Sequence, residues 1–157
     1  MPLDITALQS LAQASAAQPP LPESEIADAE KHFGFRLPDP VRQFYSQVSA
    51  GGYGPGYGFY GLTRGTETFP DETVLSLYTI FRKGDPDEPE FVWPHMLLPI
   101  LDWGCAIRTC VDCSTPSLPM IRFDPNEEGA DQFYPENFDF EMWLQAWLDG
   151  YDHWKNE

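Results

Sequence analysis

Apolar positions recur at helical spacing in five stretches of this chain and alternate in one, and that contrast sets the fold. Leu8, Leu11, Ala12 and Ala16 predict a first helix, with Asp4 placed to cap it. Gln18-Pro19-Pro20-Leu21-Pro22 ends it and forms an extended connector. A second helix spans Glu23 to Phe33, with Ile26, Ala29 and Phe33 as its inner stripe. Glu23 and Glu25 sit at the positive end of its dipole, and Gly34 can take the left-handed conformation that stops it. Asp39 then reads as an N-cap with Pro40 at the first helical position, and Val41, Phe44, Tyr45 and Val48 share a face. Val74, Leu77, Tyr78 and Phe81 predict a fourth helix within Asp71 to Lys83, stopped by Gly84. A fifth follows an Asp139 cap and carries Phe140, Trp143, Leu144, Trp147 and Tyr151, a seam of the kind that faces a core.

Strands occupy the interval between the last two helices. Leu97 to Leu101 is a short apolar run. Ala106 to Val111 alternates Ile107, Thr109 and Val111 against Arg108 and Cys110, which suits a half-buried strand. Asp102-Trp103-Gly104-Cys105 reads as the turn between them, and Ser114 to Ser117 as a second turn before a strand over Met120 to Phe123. Asp131 to Tyr134 adds a short strand. Connections this short predict an antiparallel meander. The glycine-rich segment from Gly51 to Gly61 is a loop or irregular strand with Tyr53, Tyr57, Phe59 and Tyr60 available for packing. It lacks the G-x-x-x-x-G-K-[ST] pattern of a phosphate cradle. Asp85 to Glu90 is acidic and proline-broken, hence a surface loop.

At 157 residues the pattern suits one domain over 1–157, with an N-terminal helix and connector over 1–21 and a core over 22–154. No apolar run approaches the roughly 20 residues of a membrane span. The N-terminus carries no basic segment followed by an apolar one, which favours the cytoplasm. The net charge of −16 changes the picture most, because it is unevenly placed. Between Arg122 and Lys155 there is no Lys or Arg, while nine acidic residues fall there. Nucleic acid is thereby an unsuitable ligand, since phosphate binding needs clustered cations. A basic protein partner would be steered in, in a salt-dependent way.

Candidate chemistry is sparse. Cys110-Val111-Asp112-Cys113 has redox or half-zinc spacing, with Cys105 nearby and His32, His95 and His153 scattered. There is no second C-x-x-C and no thioredoxin-like context, so reduced structural thiols are expected, with no metal and no cofactor. Carboxylate pairs such as Glu127 with Glu128, or Asp102 with Asp112, could serve acid–base hydrolysis, but so many acids pair by chance.

The run Ile26…Glu30…Phe33-Gly34…Leu37-Pro38…Phe44-Tyr45…Gly51-Gly52 resembles the signature of the SUKH superfamily, the cell-wall-assembly-regulator-like immunity domains. Leu98-Pro99-Ile100…Asp102-Trp103-Gly104-Cys105…Val111-Asp112, then Ile121-Arg122-Phe123-Asp124 and the aromatic helix, is similar to one bacterial branch of it. Ala50 stands where Asn often precedes the two glycines. The resemblance spans roughly residues 22–154. It implies an α+β fold, a mainly antiparallel or mixed sheet flanked by helices, and no shared catalytic residue. It also implies an immunity protein that neutralises a cognate polymorphic toxin, many of which are basic. The alternatives are a regulatory interaction module without a toxin and, behind it, an acid–base hydrolase. For partner binding the candidates are Asp124, Glu127, Glu128, Asp131 and Glu136 as steering charges, with Tyr53, Tyr57 and Trp103 as anchors. The plainer reading makes the acids solvated and the aromatics core.

Overall fold

The computed structural model describes residues 3–15 and 17–155; Ala16 of the first predicted stripe lies outside the described residues. Helix α1 spans Ile5–Ala14, and the Asp4 carboxylate accepts from the Ala7 N–H at 3.0 Å. Helix α2 spans Glu23–Phe33 and ends at Gly34 with φ +86°. Glu30 explains why a glutamate stands four residues after Ile26. Its Oε2 accepts from the Leu37 backbone N–H at 2.6 Å and from Arg42 Nε at 3.0 Å, closing the turn into the next helix. Burial pushes this carboxyl up, but the Arg42 and Leu37 hydrogen bonds outweigh it and hold it below the usual range.

Helix α3 spans Asp39–Gln43 and continues into a π-helical turn over Phe44–Val48. It starts one residue earlier than expected. Pro38 is the N-cap, and Asp39 instead accepts from Arg36 Nη2 at 3.2 Å. The wider turn still leaves Val41, Phe44, Tyr45 and Val48 all buried. Helix α4 spans Val74–Lys83, opened by a reciprocal Thr73–Ser76 capping box and closed at Gly84. Helix α5 spans Phe140–Leu148, and Asp139 caps it by accepting from the Met142 N–H.

Five strands pair as an antiparallel meander in chain order: β1 (Gly58–Phe59), β2 (Leu97–Gly104), β3 (Ile107–Asp112), β4 (Pro119–Phe123) and β5 (Phe133–Asp139). With the helices this is an α+β arrangement. Strands β2, β3 and β5 differ from the sequence expectation. Strand β2 runs through Asp102 and Trp103 to Gly104, and the hairpin turn is Cys105–Ala106, both residues at positive φ. The buried Asp102 carboxylate keeps the chain extended there, since it accepts from the Gly104 N–H and from the Tyr60 hydroxyl. Strand β3 is covered on both faces, because Arg108 to Val111 are buried without a break. Strand β5 begins later and runs longer than predicted, after a 3₁₀ turn over Gly129–Gln132.

A single cluster of buried side chains joins all these elements, and it includes Leu8 and Ala12 of α1. Gly51 sits where the loop after α3 crosses the residues following β1. A Cβ there would lie 2.6 Å from the Tyr60 carbonyl oxygen. No helix among the described residues is long and apolar enough to cross a membrane.

Candidate partner-binding face

The acidic segment after β4 folds back on itself and then into β5. Asp124 Oδ1 accepts from both the backbone N–H and the Nδ2 of Asn126, and Asn126 Nδ2 also reaches the Cys105 carbonyl at 3.2 Å. This pins the start of the segment to the β2–β3 turn. Glu127, Glu128 and Asp131 project into water beyond it, while Asp124 is half-buried.

Glu136 does not join them. Its side chain is 4% exposed, and it is the hub of a buried network. Its Oε1 accepts from Arg122 Nη2 and from Trp143 Nε1, each at 3.1 Å, and its Oε2 accepts from the Thr109 hydroxyl at 2.7 Å. Thr109 in turn accepts from Trp103 Nε1 at 2.7 Å. Arg122 also donates to the His153 carbonyl at 2.9 Å. Glu136 therefore cannot steer a partner; it neutralises the wholly buried Arg122 and fixes the indole of Trp103. Tyr53 is the second correction. It is 4% exposed and packs on Phe44, Phe59 and Trp147, so it is core and no anchor.

Tyr57, in the turn just before β1, and Trp103, on the neighbouring β2, do reach the surface. Tyr57 is 60% exposed and lies over Gly104, where a Cβ would come within 2.7 Å of its ring. Trp103 is half-buried and stacks obliquely on Trp154 at 5.5 Å. These indoles line a cavity of about 490 Å³ together with Pro55, Gly56, Trp147 and Tyr151. Sequence reasoning missed Tyr151 and Trp154 as surface groups. Tyr151 looked like the last position of the α5 seam, but the helix stops at Leu148 and Gly150 turns the chain away at φ +95°. A Gly followed by Tyr-Asp-His-Trp was the available signal. His153 holds this C-terminal segment down: its ring stacks on Trp143 at 4.0 Å, and its Nε2 donates to the Trp143 carbonyl at 2.9 Å. Burial lowers its pKa below the ordinary histidine value.

A second concavity of about 600 Å³ lies between the loop before β2 and the acidic segment. Glu88, Glu90, Glu127 and Glu128 rim it, and no Lys or Arg lines it. Phe91 and Phe133 stack at 6.1 Å beneath, and Val92 is 68% exposed beside them. Glu127 and Glu128 were expected on the binding face. Glu88 and Glu90 were read only as loop, because nothing local says which loop faces which.

Among the described residues no group of three or more His, Cys, Asp or Glu side chains is arranged to hold a metal ion. Cys105 is exposed, while Cys110 and Cys113 are buried, and all three are free. Burial drives the Cys110 thiol well up and Cys113 to about 12, so neither supplies a thiolate at neutral pH. The arrangement can present charge and aromatic surface to another macromolecule. Comparison with curated proteins and with solved structures gives no match. The profile of the SMI1 / KNR4 family (SUKH-1) matches residues 20–146, from the proline connector into α5, and the chain belongs to that family.

Proposed function

We propose that this chain is a non-catalytic protein-binding domain, an immunity protein that neutralises a cognate bacterial toxin of basic character in the cytoplasm. One observation carries the reading. Four glutamates from two separate loops rim an apolar-floored groove that no cation lines, on a chain of net charge −16. Carboxylates on a rim speed encounter with a basic surface, and apolar groups such as Val92 and Phe91 supply the area that is desolvated on docking. Membership of the SUKH-1 family supports the general class of the molecule.

The test is to search the neighbouring reading frames for a basic toxin domain and to assay binding and growth rescue with it. Co-expression should restore growth. The association rate should fall by about tenfold or more as salt is raised, in line with electrostatic steering. Reversing Glu90 and Glu128 to Lys should slow association further, with little change in the stability of the free protein. Rescue with a salt-independent rate would remove the electrostatic part of the reading. Failure of binding to any neighbouring toxin would favour a regulatory interaction module.

A further inference from the structure

The aromatic cavity beside the C-terminal segment is distinct from the acidic groove, and its lining is chemically selective. Four aromatic residues line it: Trp103 from β2, Trp147 from α5, and Tyr151 and Trp154 from the segment that follows. A π-face carries a negative quadrupole and attracts cations, most strongly at Trp. This indole pair already does so within the fold. The Arg122 guanidinium lies 5.0 Å from the Trp103 ring centre and 5.4 Å from that of Trp154. Glu136 balances that charge from within, and both indoles also line the cavity.

The charge on the rim has the matching sign. Asp152 lines the cavity, and its Oδ1 is held by the backbone N–H groups of Trp154 and Lys155 at 3.0 and 3.1 Å. No Lys or Arg lines it. Its volume falls in the about 300–1,000 Å³ range of ligand sites. We infer that this cavity binds one cationic side chain, arginine or lysine, presented by the partner, between the Trp103–Trp154 pair and the Asp152 carboxylate. The inference rests on the reading of this chain as a binder of a basic protein. Trp147, Tyr151, Asp152 and Trp154 all follow residue 146, where the family match ends. Part of the site is thus built from residues beyond the family match, while Trp103, Pro55 and Gly56 lie within it.

The experiment needs no partner protein. The intact protein is titrated with N-acetyl-arginine amide and N-acetyl-lysine amide while its side-chain indole N–H signals are followed by NMR. N-acetyl-citrulline amide, which keeps the arginine shape without its charge, is the control. The cationic probes should shift the Trp103 and Trp154 signals, and citrulline should not. Trp154→Ala should weaken the arginine probe by about tenfold, the range of a desolvated cation–π contact. That side chain is 44% exposed, so its removal spares the core. Asp152→Asn keeps the oxygen that accepts from Trp154 and Lys155 and removes the negative charge, and should weaken binding severalfold. Equal shifts with citrulline, no shift with any probe, or tighter binding of a neutral methyl glycoside would each overturn the inference. Because the toxin is absent from this titration, a negative result leaves toxin neutralisation standing. A failed toxin rescue, likewise, leaves a positive titration intact.

Discussion

Glu136 shows how a surface can depend on a residue that never touches it. It accepts hydrogen bonds from Arg122, Trp143 and Thr109, and Thr109 passes the constraint to Trp103. Replacing it with Ala takes the Glu136 carboxylate away from the guanidinium of Arg122, which is wholly out of solvent. Breaking a buried pair by removing one partner costs about 3–5 kcal/mol. Urea unfolding of Glu136→Ala should show a loss of that size, together with a broadened Trp103 indole signal. A loss under about 1 kcal/mol would mean that the interior rearranges to solvate Arg122. Nothing in the sequence separates Glu136 from Glu127 or Glu128. Composition reports the number of acids in a segment, whereas the direction each one points is fixed by strand pairing that composition does not contain. Tyr53 misleads for the same reason: a tyrosine among glycines reads as exposed until the sheet edge and α5 close over it.

Elements with local signals were the legible ones. The Asp4 and Asp139 caps, the Gly34 stop and the 3.6-residue stripes lie within a turn or two of what they specify, and α1, α2, α4 and α5 follow from them. Thr73 tests this at α4. Its hydroxyl accepts from the Ser76 N–H at 3.0 Å while the Ser76 hydroxyl accepts from the Thr73 N–H at 2.8 Å. Thr73→Ala should cost about 1 kcal/mol in thermal unfolding. A neutral result would mean that packing of Val74 and Leu77 alone positions the helix. Elements specified at a distance were hard to read. Strand β5 contains Pro135 and Asn137 and shows no clean alternation; it exists because β4 pairs with it at the sheet edge. The β2–β3 turn was misplaced because Cys105 and Ala106 are unusual residues for positive φ, and Gly104 looked like the turn. Of the candidate face, Tyr57, Trp103, Glu127 and Glu128 were named from the sequence. The walls from Tyr151 and Trp154, and the opposing rim from Glu88 and Glu90, emerged only once distant segments were brought together.

At the scale of the whole molecule, the charge that suits a basic partner also opposes folding. A net −16 on one domain is self-repulsive, and salt relieves it. Stability against pH is then a contest between that repulsion and groups that fold in one protonation state. His153 is such a group. Burial is the largest influence and lowers its pKa; Arg122 acts in the same direction, while the Trp143 carbonyl, Glu136 and Asp152 act against it. Because the folded pKa lies below the unfolded value of about 6.5, the folded state binds fewer protons. The contribution is fully present above that value and is lost as pH falls through the folded pKa. Most carboxylates stay ionised between pH 7 and 5, so repulsion changes little there. The melting temperature at about 0.15 M salt, where the screening length is roughly 8 Å, should therefore fall from pH 7 to 5. Each kcal/mol lost should appear as about 2–4 °C. His153→Gln, whose amide can still donate to the Trp143 carbonyl, should flatten that decline. A decline of the same size in His153→Gln would place the pH sensitivity elsewhere. If instead the wild-type protein is more stable at pH 5, relief of repulsion outweighs the histidine, and the C-terminal segment stays docked under acid.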